Sequence, residues 1–577
     1  MSGAVLAAHG LAVAARRRGR VEPVLRGVNF AIAPGQALGL VGEAGAGGAV
    51  LAQAVARLLP PDLEVTDGAL AFLGADLAAL PEAELRGLLG RDIAFLPPEP
   101  RAALHPGRSA GAQLVAQLRR LGVPGGEARA RAVAALAEVG LAEPEAVMAA
   151  LPHLLSAEQC LLVLVAMAFA GAPRLVVAED PTAGLDMAAQ ARVLAAIRAL
   201  RQARGAQGEG VAMLFLTRDL ALAGAVCDEV AVLLGGEIVE VGPAGAVLQA
   251  PRHPYTKTLL LAQPRLSGPR PELYVLPEPA VSGRALAWAA GCRFAVRCPV
   301  RAEYCLRTEP PLEGDGHRAA CIRPGLVPAI VAPGEVPPPP WRPAGEAPVL
   351  ALEGVGKACA RGAVRDVSLR IAPGEFVALV GEAGSGTTTL ARLVAGLERP
   401  DQGKVVPGGA VQMVFAGEDA LNPRRRISDI VTEALAVGRP VRFRVRETRA
   451  RQLLAEMGMA LEQGVRLPGQ LGEAERRRVA LARALCGGPA LLVADGLLEG
   501  LDAPGRADLL GLLNRLRHRL DFALLLVCRD LAVARHLCER VVVMHQGAIV
   551  EDGLADTVFG WPRHEATKAL LAGVAAT

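Results

Sequence analysis

The chain has 577 residues, of which 52% are hydrophobic and 21% charged, and a formal net charge of +4. Its length exceeds what one core can organise and predicts roughly two to four domains. So small a net charge gives no electrostatic ground for nucleic-acid binding, and no N-terminal stretch has the charged, apolar and small-residue order of a signal peptide.

In chain order, the basic cluster Arg16 to Arg18, like Arg424 to Arg426 later, reads as a solvated face. Val24 to Val41 reads as strand, Ala-Pro-Gly turn and strand, and runs into the glycine-rich segment GEAGAGGA, Gly42 to Ala49. A loop of this kind between an apolar strand and a helix presents backbone N–H groups to phosphate oxygens, and a lysine after its last glycine normally neutralises them. Gly42, Gly45 and Gly47 fit that pattern, but Gly48 and Ala49 stand where Lys and a hydroxyl residue are expected. The apolar run Cys160 to Pro173 is shorter than the roughly 20 residues that span a bilayer and fits a buried helix. Strand-like runs follow at Leu175 and Leu214, the first ending in Glu179 and Asp180.

The same order then repeats. Ala363 to Val380 parallels Val24 to Val41 and leads into GEAGSGTT, Gly381 to Thr388, with Gly384 and Gly386 in place and Thr387 at the lysine position. Leu491 to Asp502 parallels Leu175 to Asp186, and Leu524 to Gly553 parallels Met213 to Gly242. Apolar strands separated by helical patterns predict an α/β fold with a largely parallel sheet in each half. Between the halves, Pro264 to Pro348 carries four cysteines and the run Pro337 to Pro340, a composition that favours an extended linker. The expected domains are residues 1–262, a cysteine-rich module at 263–330, a Pro-rich linker at 331–347 and a second domain at 348–577.

These segments, with LSAEQ (Leu155 to Gln159), AEDPTAGLD (Ala178 to Asp186), CDEVAVLLGGEIVEVGP from Cys227, HPYTKTLL (His253 to Leu260) and LNP (Leu421 to Pro423), resemble the tandem ATP-binding subunits of ABC transporters of the oligopeptide, dipeptide and nickel class. The resemblance implies two ABC-type P-loop cassettes packed head to tail, each ATP lying between the glycine loop of one and the signature of the other. Carried onto this chain, it implies altered chemistry at nearly every catalytic position. The lysines are Gly48 and Thr387, and the Mg²⁺ hydroxyl is Ala49 in one loop and Thr388 in the other. Pro98 and Ala416 stand at the glutamine-loop positions. The metal-associated Asp and catalytic Glu become Glu179 and Asp180, then Asp495 and Gly496. The switch histidines become Arg218 and Arg529, which do not shuttle protons at neutral pH. The signatures become LSAEQ, keeping Ser156 and Gln159, and LGEAE, so that Glu158, Glu473 and Glu475 bring negative charge toward a γ-phosphate. Loss of one preorganised donor alone lowers a rate by about 10²- to 10³-fold, so efficient hydrolysis is not expected and ATP with Mg²⁺ is a doubtful ligand. Arg218 and Arg529 read either as plain surface or salt-bridge residues or, given the identical replacement in both halves, as partners of the acidic signature of the opposite cassette. The glycines have a second explanation, a strand-to-helix turn that needs unusual φ whether or not phosphate binds.

Cys292, Cys298, Cys305 and Cys321 are spaced C-x5-C-x6-C-x15-C, unlike the paired C-x2-C of common zinc ribbons. The resemblance implies that these four hold a [4Fe–4S] cluster; zinc and free thiols are the alternatives. The remaining cysteines lie in strand or helix patterns and read as buried apolar residues. The chain thus fits a pseudo-ATPase acting as scaffold or regulatory subunit, with an ATP-hydrolysing subunit of a peptide- or nickel-type importer and a nucleotide sensor without turnover as the alternatives. The expected partners are proteins, either membrane permease subunits or another complex, and no nucleic acid. The expected location is the cytoplasm, including the cytoplasmic face of the inner membrane, with peripheral attachment at most.

Overall fold

The computed structural model describes residues 3–17, 20–203, 210–277, 290–336, 347–359, 362–415, 417, 420–436 and 441–576. Each half carries the predicted α/β core. In the first, Ala37–Gly42 runs parallel to Ala212–Thr217 and Glu229–Leu234, and Leu175–Glu179 and Ile93–Leu96 extend the sheet on the Ala212–Thr217 side. In the second, Phe376–Gly381 lies between Ala523–Val527 and Arg540–His545 in the same way. The central strands are buried on both faces, which accounts for their continuous apolar runs rather than alternating ones. Each core also carries an antiparallel sheet, built around Leu6–Arg17 in the first half and Leu350–Cys359 in the second. These antiparallel sheets stand beside the largely parallel ones that the strand pattern predicted.

The helix Ala157–Phe169 has nine buried residues from Cys160 to Phe169 and lies in the core of the first cassette, as its unbroken apolar run suggested. Among the described residues no helix is long and apolar enough to cross a membrane. Cys160, Cys227, Cys486, Cys528 and Cys538 are buried, in keeping with their reading as core residues.

The cysteine segment is not a free-standing unit. Arg318–Ala319 adds an edge strand beside Glu237–Pro243 of the first cassette, and Phe294 and Leu276 share a core with Val41, Leu220 and Tyr255. Prolines keep this stretch free of long helices without keeping it out of a core. The run Pro337 to Pro340 and Ala416 lie outside the described residues.

The two cassettes exchange elements. The C-terminal helix Glu565–Ala576 packs on Met187–Ala203 of the first cassette, while Ala262 and Leu273 enter the core of the second. Arg270 pairs with Asp556 at 3.0 Å, and Arg535 donates to the carbonyls of Arg265 and Gly268 at 3.1 and 2.8 Å.

Candidate functional site: two facing phosphate loops

The loop Gly42 to Ala49 joins strand Ala37–Gly42 to helix Gly48–Val55, with φ of 82° at Gly45 and 110° at Gly47. A Cβ at Gly47 would stand 2.6 Å from Leu25 Cδ2, so glycine is required here by backbone geometry and packing alone. The second loop repeats this form, with φ of 86° at Gly384 and 101° at Gly386 before helix Thr387–Val394. Both loops thus keep the cradle without the lysine.

A cavity of about 300 Å³ opens in front of the first loop, lined also by Pro98, Glu179, Asp180, Thr217 and Arg218. Glu179 and Asp180 end the strand Leu175–Glu179 side of this cavity, and burial raises both carboxyl pKa values, with Arg218 opposing the shift. Asp180 holds a left-handed backbone, φ 42°, and accepts a 3.4 Å hydrogen bond from Thr217 Oγ1. Gly496 occupies the equivalent place in the second cassette at φ 67°. The position favours a residue without Cβ, which is a local physical reason for glycine there.

Arg218 reaches across to the other cassette. Its guanidinium donates to the carbonyl of Gly500 at 2.5 Å, stands 3.3 Å from Glu473 Oε2, and lies 3.6 Å from Asp180 Oδ2 on its own side. The expected Arg-to-signature pairing is therefore present at this site. At the second site it is not: Arg529 donates to the carbonyl of Gly184 and faces Glu499 at 3.4 Å, while Glu158 is held by Arg192 at 2.7 and 2.9 Å. Glu475 also departs from expectation, because it caps its own helix from Gly472 N at 2.7 Å and accepts from Gln463 rather than facing the site. Ser156 and Gln159 bond each other in a capping box that starts helix Ala157–Phe169. Thr388 and Asp495 stand in the second cassette at the end of its glycine loop and of strand Leu491–Asp495 respectively.

Two further residues join the cassettes, and the sequence reading did not single them out. Asp186 Oδ2 accepts from Ala383 N of the second loop at 2.8 Å, and Asp502 Oδ2 accepts from Ala44 N of the first at 2.9 Å. Their other oxygens cap their own helices, from Ala189 N at 2.8 Å and Gly505 N at 2.9 Å. The available signal was the shared Gly-Leu-Asp ending of the two parallel segments. Between these contacts lies a cavity of about 170 Å³ lined by Arg218, Arg529, Asp219, Asp530 and Glu499 among others.

The first loop is also held from behind. Glu43 forms a two-pronged pair with Arg297 at 2.9 and 3.0 Å, and its N–H donates to the Tyr255 hydroxyl at 3.1 Å. Burial raises the Glu43 pKa against the opposing pull of Arg297.

Cys292, Cys298, Cys305 and Cys321 line one small pocket beside His253 and Phe294. Main-chain N–H groups point at their sulfurs: Arg323 N at 3.4 Å from Cys321, Ala302 N at 3.5 Å from Cys305, and those of Phe294 and Val300 toward Cys292 and Cys298. Burial pushes the Cys298 thiol up to about 11. Among the described residues no group of three or more His, Cys, Asp or Glu stands so as to hold a metal ion. His317 turns away to pair with the buried Glu240 at 2.7 Å.

The ABC transporter family model matches residues 25–183 and 364–498, and the model for the oligopeptide/dipeptide transporter C-terminal region matches 239–305. The chain is 32% identical to the "Oligopeptide transport ATP-binding protein OppD" of Mycobacterium tuberculosis, over 98% of this chain and 97% of that protein. It is 31% identical to the "Uncharacterized ABC transporter ATP-binding protein YejF" of Escherichia coli, over 99% and 100%. It is 29% identical to the "Glutathione import ATP-binding protein GsiA" of Salmonella typhimurium, over 99% and 89%. With two glycine-loop cassettes in one chain and the oligopeptide-type segment between them, this protein belongs to the ABC transporter family, as a tandem ATP-binding protein of the oligopeptide/dipeptide class.

Proposed function

We propose that this chain is a scaffold or regulatory subunit derived from a peptide-type transporter ATPase, in which protein groups hold the cassettes together where nucleotide does so in a working enzyme. The observation that carries the reading is Arg218, which is engaged at once by Asp180, Glu473 and Gly500. No lysine follows either glycine loop, and the acidic side chains around the first cavity face a single arginine lining it. A triphosphate entering there would meet Glu179 and Asp180, with the arginine that lines the cavity already engaged by Asp180 and by Glu473 of the other cassette. Its partners are then proteins: permease subunits of the kind that serve peptide transporters, at the cytoplasmic face of the membrane, or another complex.

A second reading, a nucleotide sensor, is favoured by one observation. The second cassette keeps Thr388 and Asp495, and the first cassette's signature keeps Ser156, the groups suited to Mg²⁺ and phosphate. Turnover there lacks a base, because Gly496 has no side chain. An importer ATPase of the kind named among the relatives is the third reading. Equilibrium binding of Mg-ATP to the full chain separates the scaffold from the sensor, and steady-state phosphate release separates both from the importer ATPase. No release above background, with or without Thr388→Ala, is expected; sustained release abolished by Thr388→Ala would overturn the proposal.

The four cysteines suit an iron–sulfur cluster: they line one pocket, with N–H groups aimed at the sulfurs. A four-iron cluster takes one thiolate per iron, so its thiolates stand wider apart than those around a single ion. Bound there, the cluster would supply a covalent cross-link among otherwise short, irregular segments. Iron and acid-labile sulfide in anaerobically purified protein, lost on Cys298→Ser, test the assignment against zinc and free thiols.

A further inference from the structure

We propose that the cysteine segment is a clamp on the first phosphate loop, with Arg297 as the positioning residue, so that the order of the four-cysteine pocket sets the order of that loop. Arg297 directly precedes Cys298, and all three nitrogens of its guanidinium are engaged: two on the Glu43 carboxylate at 2.9 and 3.0 Å, and Nε on the carbonyl of Pro277 at 3.2 Å. The pair is buried, with the side chains 4% and 18% exposed, and it spans 254 residues of sequence.

A second route runs in parallel. Phe294, between Cys292 and Cys298, lies with its ring centroid 5.4 Å from that of Tyr255, whose hydroxyl takes the Glu43 N–H at 3.1 Å. One residue of the loop is thus held at its carboxylate by Arg297 and at its backbone by Tyr255, and both holders are fixed by residues lying among the thiols. The next residue, Ala44, donates to Asp502 of the other cassette at 2.9 Å, so the clamp also stands behind one of the two reciprocal cassette contacts. A buried carboxylate deprived of its guanidinium cannot keep this place without severe desolvation, so loosening the cysteine pocket releases the loop. The inference rests on the fold and not on the scaffold reading, and each stands or falls by its own experiment.

Glu382 holds the same place in the second loop, and Arg297 is committed to Glu43, which makes the second loop an internal reference. The test is hydrogen exchange on the full, anaerobically prepared chain, comparing peptides over 42–49 and 381–388 in the wild type, Arg297→Ala, Arg297→Lys and Cys298→Ser. Exchange over 42–49 is expected to accelerate at least about tenfold in Arg297→Ala and Cys298→Ser, to be partly restored in Arg297→Lys, and to stay unchanged over 381–388. Unchanged exchange over 42–49, or equal acceleration in both loops, would overturn the proposal. If Arg297→Ala fails to fold, Glu43→Gln gives the same reading: acceleration confined to 42–49 supports the clamp, and none refutes it.

Discussion

Replacing both Asp186 and Asp502 by serine tests whether the cassettes hold each other. Each carboxylate does two jobs, capping its own helix with Oδ1 and accepting a glycine-loop N–H from the opposite cassette with Oδ2. Serine is a good cap but too short to reach across, so the substitution removes only the crossing bond. The two crossing bonds, at 2.8 and 2.9 Å, are charge-assisted, and each contributes about 1.5 to 3 kcal/mol. They sit at separate sites, so about 3 to 6 kcal/mol of closure is removed, a shift of roughly 100-fold or more in the closing equilibrium. Solution scattering of the nucleotide-free double variant is expected to show a larger radius of gyration, the cassettes then being tethered through the helix Glu565–Ala576 and the Arg270–Asp556 pair. A profile that superimposes on the wild type would refute the assignment of closure to these bonds.

Other outcomes follow from the same geometry. Burial lowers the pKa of His253 to about 3 and that of His536 to about 4, against 6.5 in a free side chain. Below pH 6.5 the unfolded chain therefore binds protons that the folded chain refuses, and stability falls toward pH 4 by up to about 1.4 kcal/mol per pH unit for each histidine. Urea midpoints at pH 7 and pH 5 measure this slope, and His253→Asn, which keeps an acceptor for Tyr255 N, is expected to flatten it. Gly496→Glu places a side chain at φ 67° and is expected to lower stability by about 1 to 2 kcal/mol without producing phosphate release. Phe169→Ala, in a fully buried position, is expected to cost about 3 to 5 kcal/mol in chemical denaturation.

Much of the fold was legible because its signals are local. The glycine loops, the continuous apolar strands and the helix Ala157–Phe169 each follow from residues close in sequence. A second repeat was less legible: His253-x-x-Thr256-Lys257-x-Leu259-Leu260 returns as His564-x-x-Thr567-Lys568-x-Leu570-Leu571. In both copies a glutamate, Glu240 or Glu551, accepts from the main chain just before the helix and the histidine Nδ1 caps it. The match extends to the Pro-Arg pair before each histidine, Pro251-Arg252 and Pro562-Arg563, while the intervening helix positions differ. In the first copy His317 of the cysteine segment completes the Glu240 carboxylate; in the second Thr567 does so for Glu551.

The site was legible in its positions and not in its pairings. That Arg218 meets an acidic signature while Arg529 does not depends on Arg192, one helix away from Glu158, a competition no motif encodes. The Arg297–Glu43 pair joins segments so distant in sequence that only the folded chain brings them together.

The claim that protein contacts replace nucleotide in holding the cassettes is tested most directly by solution scattering of the wild-type chain, first without nucleotide and then with millimolar Mg-ATP. The account predicts one compact profile in both. An expanded profile that contracts only on adding Mg-ATP would contradict it.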